Sequence, residues 1–136
     1  MPFIIYPQES GNKLSVIIPT GDVNACIKDV PEGKPYAIVD NLEGVDNDYF
    51  DAFVYEDGGA VADIARCKGI HLDKFRQARA PKLAKLDVDY MKAIEVDNSV
   101  AASAIAVRKQ ELRDVTKIPL PDTLPEIKEI WPNILN

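Results

Sequence analysis

The chain is poor in the residues that most often carry out catalysis or bind metals. Its 136 residues include one histidine, His71, and two cysteines, Cys26 and Cys67, which lie far apart with no CxxC pair. One histidine cannot supply the paired imidazoles of a zinc site, and no nucleophile motif surrounds it. Glycine-rich phosphate loops are also missing. We predict no catalytic residue, no metal site and no cofactor, with His71 structural or on the surface and both thiols reduced.

Long apolar runs are missing as well. No run approaches the roughly 18 residues of a membrane span, and residues 1–6 lack the basic region and apolar core of a signal peptide. The composition, 46% hydrophobic and 28% charged, is typical of a globular domain. These features predict no membrane partner and a cytoplasmic location.

Positive charge is scarce in the first half. Residues 1–62 hold eleven acidic residues against three lysines, a balance of −8, while residues 63–136 have a balance of +2. A solvated acidic surface is the favoured interpretation, and orientation on a partner is the alternative. Read as a calcium loop from Asp46, residues 46–57 place Phe50 at a ligand position and Asp51 where glycine is needed. An EF-hand is therefore excluded, which leaves weak cation binding as the alternative to an ordinary acidic loop.

Basic residues are concentrated at the start of the second half. At helical spacing they wind around the helix and form no single row, and the overall net charge of −6 repels phosphate. We therefore do not expect nucleic acid as a partner, and favour a solvated helix surface or an acidic protein partner. The residues concerned are Arg66, Lys68, Lys74, Arg76, Arg79, Lys82 and Lys85.

The hydrophobic pattern predicts an α+β fold with two parts, residues 1–62 and 63–136. In the first part, β-branched and aromatic runs between turn formers predict a small antiparallel sheet that ends at Gly58-Gly59. The predicted strands are residues 3–6, 14–18, 36–39 and 49–55; residues 7–12 form a hairpin loop, and residues 23–29 form helical turns capped by Thr20 or Asp22.

In the second part the apolar period changes to that of helices. It predicts one helix over residues 63–95, with a kink at Pro81 or a start near Ala80, and another over residues 100–115. The turn at residues 96–99 is short, so the two helices form an antiparallel hairpin. A short third helix, with a capping box from Thr123 to Glu126, carries Ile127, Ile130 and Trp131 and ends at Pro132.

Charged residues interrupt the apolar stripes of this hairpin. Arg79 and Arg108 fall within the stripes, and the favoured interpretation is that each guanidinium reaches water from an apolar stem. The alternative is an ion pair between Arg108 and Asp87. Apolar Met91, Ile94 and Val107 are the candidates for an exposed partner surface. Trp131 either anchors the tail or contacts a partner.

Several segments resemble one group of proteins. They are IIYP at residues 4–7, VIIP at 16–19, KDVPEGKPYAIVD at 28–40, DYFDAF at 48–53, ARAPKLAKLDVDYM at 78–91 and RKQELRDV at 108–115. Together they resemble small proteins encoded among the tail genes of tailed bacteriophages and prophages. The TLPE to WP ending at residues 123–132 is similar to that of tail-fibre assembly chaperones. Phe53 departs from the tryptophan expected there.

The resemblance implies a non-enzymatic, tail-associated protein. Its role would be that of a tail-fibre assembly chaperone or minor tail adaptor acting through protein–protein contacts, in the host bacterial cytoplasm during assembly or in the virion tail. The implied partner is a phage tail or tail-fibre protein, or further copies of the chain in a homo-oligomer. The alternative is a small regulatory protein that binds and inhibits a host protein through the acidic N-terminal lobe. An enzyme would require His71 to share a pocket with Cys67 or with two carboxylates.

Overall fold

The computed structural model describes residues 2–9 and 11–136 and confirms the α+β fold class. Met1 and Ser10, the latter part of the predicted hairpin loop, lie outside the described residues. The chain divides into two compact units, unit 1 from Met1 to Cys67 and unit 2 from Lys68 to Asn136. The boundary between them lies within the first α-helix, a few residues after the position predicted from the sequence.

Unit 1 contains a three-stranded antiparallel sheet in the order β2-β1-β3. The strands are β1 (Phe3–Pro7), β2 (Leu14–Ile17) and β3 (Ala37–Val39). Successive side chains of a strand point to opposite faces, yet Ile4 and Ile5 are both buried. The central strand is therefore covered on both faces.

A second, two-stranded sheet follows, formed by β4 (Phe53–Glu56) and β5 (Gly59–Ala62). The prediction of a strand beginning at Tyr49 was wrong, because residues Asn47–Ala52 form a 3₁₀ helix. Asp46 caps that helix by accepting a hydrogen bond from the Asp48 N–H at 3.0 Å. Strand β5 was not predicted from the sequence. Asp57 and Gly58 have φ values of 50° and 82°, the left-handed geometry of a tight hairpin turn, so the chain reverses there and does not leave the sheet.

Hydrogen bonds and an apolar core hold unit 1 together. Residues Val23–Asp29 form a 3₁₀ helix, and its predicted cap is confirmed because the Asp22 side chain accepts from the Asn24 N–H at 3.0 Å. The Tyr55 N–H donates to the Asn12 carbonyl at 2.8 Å and joins the two sheets. Further buried residues are Leu14, Tyr49, Ala52, Phe53, Val54 and Cys67.

The helices are α1 (Ile64–Glu95), α2 (Ser99–Asp114) and α3 (Leu124–Glu129). A start near Ala80 is wrong, since α1 is continuous through Pro81. The proline ring is exposed, and the missing N–H costs one hydrogen bond to the carbonyl of Gln77. Helix α1 therefore carries apolar residues both before and after Pro81 in the sequence.

The predicted hairpin between α1 and α2 is confirmed. Asp97 adopts a left-handed φ of 56° at the bend, and the Asn98 side chain caps α2 by accepting from the Ala101 N–H at 3.1 Å. A 3₁₀ turn, Val115–Lys117, extends α2. The bend therefore lies where the sequence placed it.

The C-terminal tail packs on the base of this hairpin. Helix α3 begins after Thr123 as predicted, but the Thr123 side chain makes no capping hydrogen bond, and α3 ends before Ile130 and Trp131. A 3₁₀ turn, Asn133–Leu135, follows. The tail completes a core whose buried residues are Phe75, Leu112, Val115 and Leu135, with Leu72, Ala78, Leu83, Leu86, Ile130 and Ile134 packed around them.

Candidate functional site

His71 is buried in unit 2, where it joins α1 to the tail. Its Nε2 lies 2.7 Å from the carbonyl oxygen of Ile130, and its ring meets the edge of Phe75 with centroids 4.8 Å apart. A carbonyl oxygen can only accept, so Nε2 carries the hydrogen and donates. These contacts give His71 a structural role in holding the tail.

Cys67 is buried in unit 1. Burial raises the pKa of its thiol, and the carboxylates of Asp63 and Asp46 raise it further. A raised pKa disfavours the thiolate, which is the nucleophilic form.

Within residues 2–9 and 11–136, no three side chains of histidine, cysteine, aspartate or glutamate gather as a metal ion would require. None of the helices in the same ranges has the length and apolar character needed to span a membrane.

Trp131 anchors the tail and leaves part of its ring outside. Its centroid lies 5.4 Å from that of Phe75 and 6.5 Å from that of His71, both in edge-on geometry. The residue nevertheless keeps 40% of its surface exposed. Phe75 precedes Met91 by about 24 Å of helix, so Trp131 and Met91 occupy different regions of unit 2.

Arg79 binds the end of α2. Its guanidinium donates to the carbonyl oxygens of Leu112, at 3.3 Å, and Arg113, at 2.9 Å. The last carbonyls of a helix have no partner within the helix, so Arg79 satisfies two of them. The sequence predicted that the Arg79 guanidinium would reach water. In the structure this group donates to main-chain oxygens of α2.

The alternative proposed for Arg108, an ion pair with Asp87, is wrong. Asp87 pairs instead with Lys109, whose Nζ lies 2.6 Å from the Asp87 carboxylate and 5.4 Å from the centre of the Tyr90 ring. Arg108 lies 3.7 Å from Glu111 of its own helix. A pivot between Asp97 and Asn98 would set Arg108 opposite Asp87. In the structure the residue that faces Asp87 is Lys109, one position further along α2. Lys109 could have been found, because it shares a helical stripe with buried Leu112.

The distal half of the hairpin exposes large apolar side chains. We call this set the tip patch. It contains all three predicted partner-surface residues, Met91 at 59%, Ile94 at 48% and Val107 at 60% exposure. Its other members, which were not predicted, are Val88, Val96 and Val100.

Small residues lie inside the same part of the hairpin. Ala93 of α1 is 7% exposed and Ala102 of α2 is 5% exposed, and we call these two buried alanines of the distal hairpin the alanine interface. Burial of a large apolar side chain usually contributes more free energy than burial of a small one. This half of the hairpin has the opposite arrangement, because it buries alanines and exposes larger apolar residues. Val100 and Val107 are seven residues apart, which places them on one solvent-facing stripe of α2. The tip patch thus leaves apolar surface in contact with water that a bound partner would cover.

Comparisons of the chain with protein-family models, with curated proteins and with solved structures find no match. Of the predicted partner residues, the structure brings Met91, Ile94 and Val107 to the tip patch and leaves Trp131 at the base of the hairpin.

Proposed function

We propose that this protein is a non-enzymatic bacteriophage tail-associated protein, a tail-fibre assembly chaperone or minor tail adaptor that acts through protein–protein contacts. The observation that carries the proposal is the reversed burial of the hairpin, with Ala93 and Ala102 inside and Met91 and Val107 outside. A second protein that covers the tip patch would remove apolar surface from water.

Physical magnitudes support a protein partner for this surface. Apolar area buried against a partner contributes roughly 25 cal/mol per Å², so a few side chains such as Met91 and Val100 can supply a large part of a binding free energy. Grouped apolar residues on a soluble protein mark interaction sites more often than isolated ones do. A pair of helices that presents such residues suits a groove or a second helix on the partner.

The sequence resemblance supports the phage assignment. Two of the segments that resemble tail-gene proteins, residues 78–91 and 108–115, lie on α1 and α2. Val88 and Met91 of the tip patch fall within the first of these segments. The other members of the tip patch, Ile94, Val96, Val100 and Val107, lie between the two segments, so the resemblance covers part of the candidate surface.

Co-purification tests the proposal. The full chain is expressed with the tail and tail-fibre proteins encoded beside its gene, and the bound protein is identified after purification. We expect one of these tail proteins to be retained, and the Met91→Ser, Val107→Ser double variant to lose most of it. The control is Ile18→Ser, which alters an apolar residue with 71% exposure in unit 1. Retention of a tail protein by the double variant, or retention of none by the wild type, would contradict the proposal.

The runner-up function, inhibition of a host protein through the acidic lobe, has one observation in its favour. The carboxylates of unit 1 are mostly exposed, and Asp51, whose side chain is 85% exposed, lies 3.9 Å from Lys13. Such a surface suits a basic partner. In the same experiment this function predicts a retained host protein that the Asp48→Lys, Asp51→Lys double variant loses and the tip-patch variant keeps.

A further inference from the structure

We propose that a cleft between α1 and α2 binds a carboxylate side chain, together with a neighbouring apolar side chain, from an acidic segment of a protein partner. The inference rests on the proposed function in protein contact but concerns a different surface from the tip patch. We call this surface the basic cleft. It has a volume of about 150 Å³ and is lined by Lys82, Lys85, Leu86, Arg108, Leu112 and Ile134.

Three cations meet at the basic cleft although the sequence disperses them. Lys82 and Lys85 are three residues apart on α1, so their directions differ by only about 60° and they share one side of the helix. The hairpin then adds Arg108 from α2. The sequence pattern showed only basic residues that wind around α1. It did not show that Arg108 of α2 joins two of them at one cleft.

One carboxylate, that of Glu111, lies within 4.0 Å of one of these three cations. Arg108 lies 3.7 Å from Glu111, which is longer than a hydrogen bond, and Lys82 donates at 2.8 Å to the main-chain oxygen of Asn136. Lys85 makes no ion pair within 4.0 Å in the described part of the chain. Two acidic residues follow Lys85 on the next turn of α1. Asp87 pairs with Lys109, which leaves Asp89. The cleft thus keeps an excess of positive charge in a protein whose net charge is −6.

The floor of the basic cleft selects the ligand. Leu86, Leu112 and Ile134 are apolar, and Leu112 is almost fully buried. Apolar surroundings strengthen the attraction between opposite charges and also favour an apolar group beside the anion. A cavity of roughly 150 Å³ in another protein admits benzene, so the cleft encloses about one side chain, the carboxylate, and the neighbouring apolar side chain lies against half-buried Leu86 and Ile134 at its edge. A short segment with alternating glutamate and leucine meets both requirements, whereas a phosphate backbone needs a longer row of cations.

A peptide titration of the full-length protein tests the inference. The probe is acetyl-Leu-Glu-Leu-amide, and acetyl-Leu-Gln-Leu-amide is its neutral counterpart. Binding is followed through the backbone amide NMR signals of ¹⁵N-labelled protein. We expect shifts at Lys85, Leu86, Arg108 and Ile134, and a several-fold weaker affinity for the neutral peptide. Added salt should weaken binding of the charged peptide alone.

Variants of the lining residues identify the charges responsible. Lys85→Gln and Arg108→Gln should each weaken binding of the charged peptide by about two- to fivefold, as expected for one partly exposed ion pair. The control is Lys92→Gln, an exposed lysine on α1 that does not line the cleft. A similar loss for the control, equal affinity for the two peptides, no binding of either, or inorganic phosphate competing as strongly as the charged peptide would overturn the inference.

The outcome is independent of the test of the proposed function. The Met91→Ser, Val107→Ser variant leaves all residues of the basic cleft in place, so it should bind the charged peptide like the wild type. If the peptide binds but no tail protein is retained, the proposed function fails alone. If the tail protein is retained by Lys85→Gln and the peptide never binds, the basic cleft fails alone.

Discussion

Lys109 is the residue that shows most clearly how the hairpin places charge. Its side chain is only 17% exposed, because its stem lies along the contact between the helices while its ammonium reaches Asp87 and the face of Tyr90. The pair is partly shielded from water, so it should contribute more than a fully exposed ion pair of the same length.

A double-mutant cycle measures this pair. We expect Asp87→Asn and Lys109→Gln to be non-additive by up to about 1 kcal/mol in the free energy of unfolding, measured in urea, and the coupling to fall with added salt. The matched control is Arg108→Gln with Asp87→Asn. Coupling in the control, or none for Lys109, would show that the register of the hairpin differs from the one described.

Asp122 gives a pH-dependent prediction. A hydrogen bond from Lys68 at 2.8 Å, together with the lysine charge, lowers the pKa of Asp122. A carboxyl whose folded pKa is lowered adds stability above its unfolded pKa, about 4, and loses it as the pH falls through the folded value. Asp122→Asn should therefore lower Tm slightly at pH 7, and the difference from the wild type should shrink below about pH 4.

Thermal unfolding across the pH range checks this expectation. Glu126→Gln is the control, because Glu126 is exposed nearby on α3 and makes no ion pair within 4.0 Å in the described residues. A Tm difference for Asp122→Asn that grows as the pH falls would have the wrong sign for this ion pair.

At the scale of elements, the base and the tip of the hairpin should respond differently to the loss of apolar atoms. Leu112 is 1% exposed within the core of unit 2, whereas Val107, five residues closer to the tip, is 60% exposed. Leu112→Ala should cost about 2–5 kcal/mol of unfolding free energy, and Val107→Ala less than about 0.5 kcal/mol. Urea unfolding of both variants compares them directly, and similar costs would mean that the tip is covered in the free protein.

The proline within α1 predicts a stabilising substitution. Pro81 is exposed and removes one hydrogen bond from a continuous helix, so Pro81→Ala should raise the free energy of unfolding by about 2 kcal/mol. Ala84→Pro, three residues later on the exposed side of the same helix, should lower it by about 3 kcal/mol. An unchanged urea midpoint for Pro81→Ala would indicate that α1 is already interrupted at this point in solution.

For the molecule as a whole, long periodic segments were predictable from the sequence, whereas turns and caps were predictable only in part. The hairpin followed from helical periodicity on both sides of Asp97, since that pattern persists over many residues. Strand β5 was missed because Gly58-Gly59 was read as an end, although Asp57-Gly58 is a typical pair for a left-handed hairpin turn. At Tyr49, the Asp46 cap favoured a 3₁₀ helix over a strand of aromatic residues.

The candidate surfaces were predictable in part for the same reason. Residues far from the interior of an amphipathic helix, such as Met91 and Val107, can be assigned to its exposed side from spacing alone. The basic cleft could not be foreseen, because it requires the register between two helices to within one residue. That one residue separates Arg108, which lines the cleft, from Lys109, which faces Asp87.

The alanine interface has a consequence for motion. The buried residues at the far ends of α1 and α2 are the small side chains of Ala93 and Ala102, whereas a core of larger side chains around Phe75 holds the near ends. Amide hydrogens near Ala93 and Ala102 should therefore exchange with deuterated water through local fraying, orders of magnitude faster than those near Phe75. A partner that binds the tip patch would suppress this fraying. Partner binding should therefore slow amide exchange at the far ends of α1 and α2 before it changes exchange near Phe75.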